Sequence, residues 1–130
     1  MHKRAEVWPS ERGGNRSRRF VGRALLPLLA PEHEVVAIDT RLSGRAGIEG
    51  DLRDPLVLQK VFGDGCDALI HLSTIPGGRA EQDPDLAWRV NVDATMALIH
   101  AAAEAGRCPR IIFASSIAVL GAAATCRKRR

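Results

Sequence analysis

Hydrophobic positions along this chain change their spacing repeatedly, and each change indicates a different secondary structure. Short apolar or β-branched runs predict buried strands, whereas apolar residues that recur every three or four positions predict helices. The spacing predicts helices over residues 20–29, 54–62 and 84–105, and strands over 34–39, near Ile48, over 67–72 and over 110–115.

Local signals at the ends of these segments support the assignment. Asp54-Pro55 and Asp83-Pro84 each combine a capping carboxylate with a proline at the first helical position. Gly106 follows the last apolar position of the long helix and is a candidate left-handed cap. Pro27 weakens the first helix because it donates no backbone hydrogen bond.

Strands that alternate with helices at this interval indicate an α/β fold with a parallel sheet covered on both faces. In such sheets ligands bind at the carboxyl ends of the strands. The polar residues that follow the predicted strands are therefore the first candidates for a site: Asp39, Asp51, Ser73, Ser115 and Ser116.

Composition narrows the class of protein. The 130 residues are enough for one domain, and the longest apolar run, residues 24–30, is too short to cross a membrane. Three cysteines without a Cys-x-x-Cys pair argue against a disulfide framework or a zinc site, so we expect a reducing, cytoplasmic location without a metal. The chain contains no tyrosine.

The net charge of +4 belongs to the two ends of the chain. Residues 1–23 carry a net charge of +5 and residues 121–130 carry +4, while the segment between them is acidic at −5. Basic ends are compatible with nucleic-acid binding or a mitochondrial transit peptide. Because neither end interleaves aromatic residues with its charges, we interpret both as solvated, poorly ordered segments and expect residues 1–15 and 122–130 to be the least ordered.

From residue 20 to residue 121 the sequence resembles the NAD-dependent epimerase/dehydratase family of extended short-chain dehydrogenases, most closely the D-erythronate dehydrogenase-like group. The order and spacing of several short stretches carry the resemblance: Phe20-Val-Gly22, Val36-Ala-Ile-Asp39, Gly50-Asp-Leu-Arg-Asp54, His71-Leu-Ser73, Ala80-Glu81, Val90-Asn-Val-Asp-Ala-Thr95 and Pro109-Arg-Ile-Ile-Phe-Ala-Ser-Ser-Ile-Ala-Val-Leu-Gly121. It implies a partial Rossmann-like doubly wound sheet, the N-terminal half of such an enzyme.

The resemblance also implies roles for residues that would bind NAD. Asp39 would accept both ribose hydroxyls of the adenosine and repel a 2′-phosphate, which selects NAD over NADP, although Arg41 nearby could bind that phosphate. Asp51 and Leu52 would contact adenine, and Leu72 and Ser73 would support the nicotinamide ribose. The alternatives are that Asp39 is an acid in the turn after a strand and that Asp51 caps a loop.

Further residues take roles by the same resemblance. Gly22 is the last glycine of the phosphate-binding turn, Asn91 steadies the strand at the active site, and Ser115 lies beside the cofactor. Ser116 would be catalytic, polarising the substrate oxygen, although a serine pair in isolation is ordinary loop sequence. Four further residues complete the set. His71 is more simply a strand histidine than an acid–base, and Gly77-Gly78-Arg79 lies where relatives contact substrate, so Arg79 could face a carboxylate.

Two parts of the family pattern are missing. The first two glycines of the phosphate-binding turn should fall at positions 16 and 19, which hold Arg16 and Arg19, and Trp8 to Asn15 does not have the pattern of a buried strand. We therefore expect the first strand to be degraded. The catalytic Tyr-x-x-x-Lys that should follow Ser116 is also absent.

These observations divide the chain into a basic non-family segment (1–19), a partial NAD-binding domain (20–121) and a basic tail (122–130). The favoured hypothesis is a fragment of an NAD-dependent oxidoreductase or epimerase for sugars or sugar acids that is inactive alone. The alternative is a non-catalytic nucleotide-binding or interaction module. A third hypothesis, completion by another chain that supplies tyrosine and lysine, has no support in the sequence. We expect no membrane partner, and the resemblance allows a homodimer for intact relatives.

Overall fold

The computed structural model describes residues 3–7, 20–42, 44, 46–63, 65–106 and 109–116. Within them, strands and helices alternate along the chain as the sequence predicts. In chain order the elements are β1 (Lys3–Val7), α1 (Phe20–Leu29), β2 (Glu34–Asp39), β3 (Ile48–Glu49), α2 (Pro55–Phe62), β4 (Ala68–His71), α3 (Gly77–Gln82), α4 (Pro84–Trp88), a π-helical segment (Arg89–Asp93), α5 (Ala94–Glu104) and β5 (Arg110–Phe113).

The five strands form one parallel sheet in the order β3-β2-β1-β4-β5. The chain starts at the centre, moves outward through β2 and β3, and then crosses back to β4 and β5 on the other side. This reversal next to β1 is the topological switch point of a doubly wound sheet. The predicted α/β class, with a parallel Rossmann-like sheet, is confirmed.

The first strand, which the sequence analysis expects to be degraded, is present as β1. Lys3–Val7 pairs in parallel with β2 on one side and with β4 on the other, so part of the segment that we placed outside the domain lies at the centre of its sheet. The sequence signal was weak because only two of these five residues are apolar, while the position of a central strand depends on the backbone ladders of its neighbours. Residues 1–2, 8–15 and 122–130 lie outside the described part of the chain.

Both predicted helix starts are confirmed by their capping bonds. The Asp54 carboxylate accepts a hydrogen bond from the Leu56 N–H at 2.9 Å, and the Asp83 carboxylate accepts one from the Leu86 N–H at 2.9 Å. Gly106 has a φ of +71°, as a left-handed cap requires.

The predicted long helix over 84–105 is interrupted by one wide turn. α4 and α5 are joined by the π-helical segment Arg89–Asp93, which contains Asn91. Single π turns within α-helices occur frequently at functional sites. The short helix α3 was not predicted, because its sequence begins with two glycines, which are poor helix formers.

The core lies between the sheet and the helices α2 and α5. Ile38 of β2, Leu69 of β4 and Leu98 of α5 are almost completely buried, and Val61 and Phe62 of α2 pack into the same cluster. By contrast, all four residues of the edge strand β5 are exposed. None of the helices in the described part of the chain is long and apolar enough to cross a membrane.

Candidate cofactor-binding site

The carboxyl ends of β2, β3 and β4 open into one cleft. Its cavity volume of about 60 Å³ is well below the roughly 300 Å³ of a complete small-molecule pocket, so it can hold only part of a large ligand. Four residues predicted from the sequence, Asp39, Asp51, Leu52 and Ser73, line this cleft. Its other lining residues are Ile38, Thr40, Gly50, Thr74, Ile75, Val90 and Ala94.

Asp39 is the last residue of β2 and is only 5% exposed. Its Oδ1 accepts a hydrogen bond from the Arg41 backbone N–H at 3.1 Å, and its carbonyl oxygen accepts one from the Gly50 N–H at 2.9 Å. These bonds hold the turn after β2 and join the ends of β2 and β3. The carboxylate is thereby fixed at the wall of the cleft, while Arg41 itself is exposed.

Asp51 follows β3, lines the same cleft and is bound by Arg53. The Arg53 side chain donates from Nε to Oδ1 at 2.9 Å and from Nη2 to Oδ2 at 2.6 Å. The Arg53 backbone N–H also donates to Oδ1 at 2.9 Å. The side-chain hydrogen bond from Arg53 lowers the pKa of Asp51 despite the opposing effect of partial burial, so the carboxylate stays ionised as an acceptor.

The loop after β4 is held in place by Asn91. The Asn91 Oδ1 accepts from the Ile75 N–H at 2.6 Å, and its Nδ2 donates to the Ile75 carbonyl oxygen at 2.8 Å. Because both backbone groups of Ile75 are bound, the loop that carries Leu72 and Ser73 is anchored to the π-helical segment. The role of Asn91 near the cofactor and the active-site strand stays a prediction.

His71 is buried at the end of β4, where it is 1% exposed. Its Nε2 lies 2.8 Å from the Thr95 Oγ1, and this hydroxyl donates to the Asn91 carbonyl oxygen at 2.9 Å. Since the hydroxyl has one proton, it must accept from His71, which makes Nε2 the protonated nitrogen. Nδ1 is buried without a hydrogen-bond partner in the described structure.

Burial lowers the pKa of His71 to about 4. The imidazole is therefore neutral at physiological pH and has no access to solvent or to a ligand in the cleft. This favours the interpretation of His71 as a strand histidine over that of an acid–base residue.

The remaining predicted residues do not line the cleft. Gly22 is buried in α1, and Ser115 and Ser116 are exposed beyond the end of β5. Arg79 lies in α3. Arg16 and Arg19 of the expected phosphate-binding turn lie outside the described residues.

The sequence analysis assigned no site role to seven of the lining residues and missed one partly buried contact. Thr40 and Thr74 directly follow predicted site residues, so their position after a strand was a usable signal. Val90 and the contact between Thr95 and His71 carried no such signal, because they depend on how the long helix packs across the sheet.

Acidic groups at the ends of adjacent parallel strands, next to a topological switch point, define a Rossmann-type dinucleotide-binding fold. Residues 17–129 match the NAD dependent epimerase/dehydratase family, and this chain belongs to that family. The match extends beyond both ends of the 20–121 segment that carried the resemblance.

Individual relatives agree with this assignment. The chain is 45% identical over 74 residues to a D-erythronate dehydrogenase of Cupriavidus necator, which covers 57% of this chain and 23% of the relative. A short-chain dehydrogenase/reductase superfamily protein from Agrobacterium tumefaciens, solved with bound NAD, has a TM-score of 0.65 and 30% identity over 88% of this chain and 33% of its own. A nucleoside-diphosphate-sugar epimerase from the same organism has a TM-score of 0.69 and 28% identity over 91% and 38%. The chain thus spans less than a quarter of the curated relative and between 33% and 38% of these solved structures.

Proposed function

We propose that this chain binds the adenosine half of NAD as part of an NAD-dependent oxidoreductase or epimerase that acts on sugars or sugar acids. The observation that carries the proposal is the cleft that Asp39, Asp51, Leu52 and Ser73 share at the carboxyl edge of the sheet. The small volume of this cleft suits one end of a dinucleotide rather than the whole molecule.

The described residues fit the adenosine part of the cofactor. The buried Asp39 carboxylate would accept the ribose hydroxyls, and Asp51 with the Leu52 backbone would contact the adenine. Because Asp39 would repel a 2′-phosphate, NAD is favoured over NADP, even though the exposed Arg41 adds a compensating charge. When bound, NAD supplies the group that accepts or donates hydride.

The other cofactor contacts in this proposal follow from the resemblance to the family. Leu72 and Ser73 would support the nicotinamide ribose from the loop that Asn91 anchors. Gly22 would face the pyrophosphate from α1, and Ser115 would lie beside the cofactor at the end of β5. Arg16 and Arg19 replace the glycines that allow close approach to the pyrophosphate, so binding is weakened by steric exclusion.

Catalytic turnover requires more than this chain supplies. Ser116 would polarise the substrate oxygen, but a serine hydroxyl is not a base without an activating partner. In the family, a tyrosine with a nearby lysine removes the hydroxyl proton, and this sequence contains no tyrosine. A positioned acid–base contributes about 10²–10⁴-fold in rate. We therefore propose that these 130 residues alone are inactive.

Calorimetric titration with NAD and NADP tests the cofactor assignment. We expect NAD to bind weakly, with a dissociation constant above the low-micromolar range. Asp39→Asn keeps the Oδ1 acceptor for the Arg41 N–H but removes the charge, so its preference for NAD over NADP should fall about tenfold, the equivalent of about 1.4 kcal/mol. Asp85→Asn, an exposed acid of α4, is the matched control and should keep the preference. Low-micromolar NAD affinity would contradict the proposed defect at the pyrophosphate turn.

Turnover is tested by following NADH absorbance with D-erythronate and related sugar acids at high protein concentration. No turnover above the background without protein is expected. Activity that disappears in Ser116→Ala would show that the chain carries a functional acid–base group and that the proposed inactivity is wrong.

Domain limits, location and assembly complete the proposal. The NAD-binding unit is proposed to comprise residues 20–121 together with the strand Lys3–Val7, with a basic tail over 122–130. A cytoplasmic location and a homodimer in longer relatives are proposed on the basis of the family alone. Size-exclusion chromatography of a longer relative, with light scattering, tests whether it forms a homodimer.

A further inference from the structure

Arg53 makes an unusually complete set of bonds to a single carboxylate for a surface arginine. Its Nε and Nη2 donate to the two oxygens of Asp51, and its own backbone N–H donates to Oδ1 as well. An exposed ion pair contributes little to stability in general. Here the two side chains are 39% and 42% exposed, so a gain in folding energy is a weak explanation for this geometry.

The bonds from Arg53 leave one acceptor position of the Asp51 carboxylate incompletely used. Oδ1 accepts two close donors, the backbone N–H and Nε of Arg53, each at 2.9 Å. Oδ2 accepts Nη2 at 2.6 Å and has a longer contact with Nε at 3.2 Å. A carboxylate oxygen has two acceptor positions, and the single Nε proton is shared, with its shorter bond to Oδ1. Nη2 is therefore the one full donor to Oδ2, which retains capacity for a further donor.

We propose that Arg53 is a positioning residue for adenine recognition, because it orients the Asp51 carboxylate so that Oδ2 accepts the exocyclic amino group of adenine. This inference rests on the proposed function, since it requires that adenosine occupies the cleft. Arg53 does not contact the base in this proposal and acts only through Asp51. The site then selects a ring with an amino donor over a ring with a carbonyl oxygen at the same position.

The experiment compares NAD with nicotinamide hypoxanthine dinucleotide, which has a carbonyl oxygen in place of the amino group. Both ligands are titrated into the full chain at constant ionic strength, and binding is followed by calorimetry or by amide chemical shifts. The ratio of the two affinities is the readout, because a general loss of positive charge or of stability affects both ligands equally. We expect the unmodified chain to prefer NAD about tenfold, as for one hydrogen bond to a charged group.

Four variants separate a positioning role from a structural one. Arg53→Met should reduce the preference to about twofold or less, and Arg53→Lys, which cannot donate from two nitrogens in a plane, should give an intermediate ratio. Asp51→Ala should abolish the preference, and adding Arg53→Met to it should change the ratio no further. Arg110→Met, at the start of β5 on the opposite edge of the sheet, is the matched control and should keep the full preference.

The outcomes distinguish this inference from the proposed function. If NAD binds but Arg53→Met keeps the full preference, or lowers it further in the Asp51→Ala background, Arg53 does not act through Asp51 and the inference is overturned alone. If neither dinucleotide binds the unmodified chain at millimolar concentration, the proposed function fails and the inference fails with it. A parallel loss of both affinities with an unchanged ratio also overturns the positioning role.

Discussion

Acidification should destabilise this protein through His71, the histidine buried at the end of β4. Burial lowers its pKa to about 4 in the folded chain, compared with 6.5 for an exposed histidine. Between these two values the unfolded chain binds more protons than the folded chain, so the free energy of unfolding falls as the pH falls. From pH 7 to pH 5 this linkage amounts to about 2 kcal/mol, which is a large part of the stability of a domain of this size.

The measurement is the free energy of unfolding in urea at pH 7 and at pH 5. Because carboxylates also titrate near pH 5, the value for the unmodified chain is compared with that for His71→Gln, which cannot titrate. The unmodified chain should lose about 2 kcal/mol more than this variant. His100→Gln replaces an exposed histidine of α5 and should keep the pH dependence of the unmodified chain.

An NMR titration of the imidazole nitrogens provides a second test that needs no variant. We expect a neutral ring with the proton on Nε2 at pH 7 and a folded-state midpoint near the lowered pKa of about 4. Equal acid sensitivity in the unmodified chain and His71→Gln, or a midpoint near that of an exposed histidine, would refute the reasoning.

Three further substitutions have expected outcomes. Gly47→Ala should lower the free energy of unfolding by about 1–3 kcal/mol, because Gly47 has a φ of +152° and a Cβ there would overlap the Ala37 carbonyl. Gly44 also has a positive φ but has open space around it, so Gly44→Ala should lower the free energy of unfolding by less in the same urea experiment. Asn91→Leu should unlock the loop at Ile75, seen as faster hydrogen exchange of the Ile75 amide, and should weaken NAD binding. Asp54→Ala should cost about 1 kcal/mol of stability through loss of the α2 cap, whereas Asp54→Asn should be nearly neutral by thermal unfolding.

Several elements were predictable from the sequence because their signals are local. The Asp-Pro pairs at 54–55 and 83–84 specify helix starts through bonds within one turn of chain, and the apolar run at Glu34–Asp39 specifies a buried strand. The resemblance placed Asp39, Asp51, Leu52 and Ser73 in one site, and the structure brings these four residues to one cleft. Their roles in cofactor binding stay predictions.

Other features depend on contacts between residues that are far apart in the chain. Asn91 and Ile75 are 16 positions apart, and His71 and Thr95 are 24 apart, so neither pair has a periodicity that could be read along the sequence. The π turn is another example. It contains Asn91, which binds the loop after β4, and it ends just before Thr95, which binds His71.

The sequence by itself determined the alternation of strands and helices, the parallel α/β class and the acidic residues at the strand ends, since all of these follow from local propensity and spacing. Only the tertiary structure decided that Lys3–Val7 is the central strand, that the long helix contains a wide turn and that Asn91 binds the backbone of Ile75. The physical reason is that a backbone ladder, a packed helix and a hydrogen bond between distant residues each need a partner, and the chain brings these partners together only on folding.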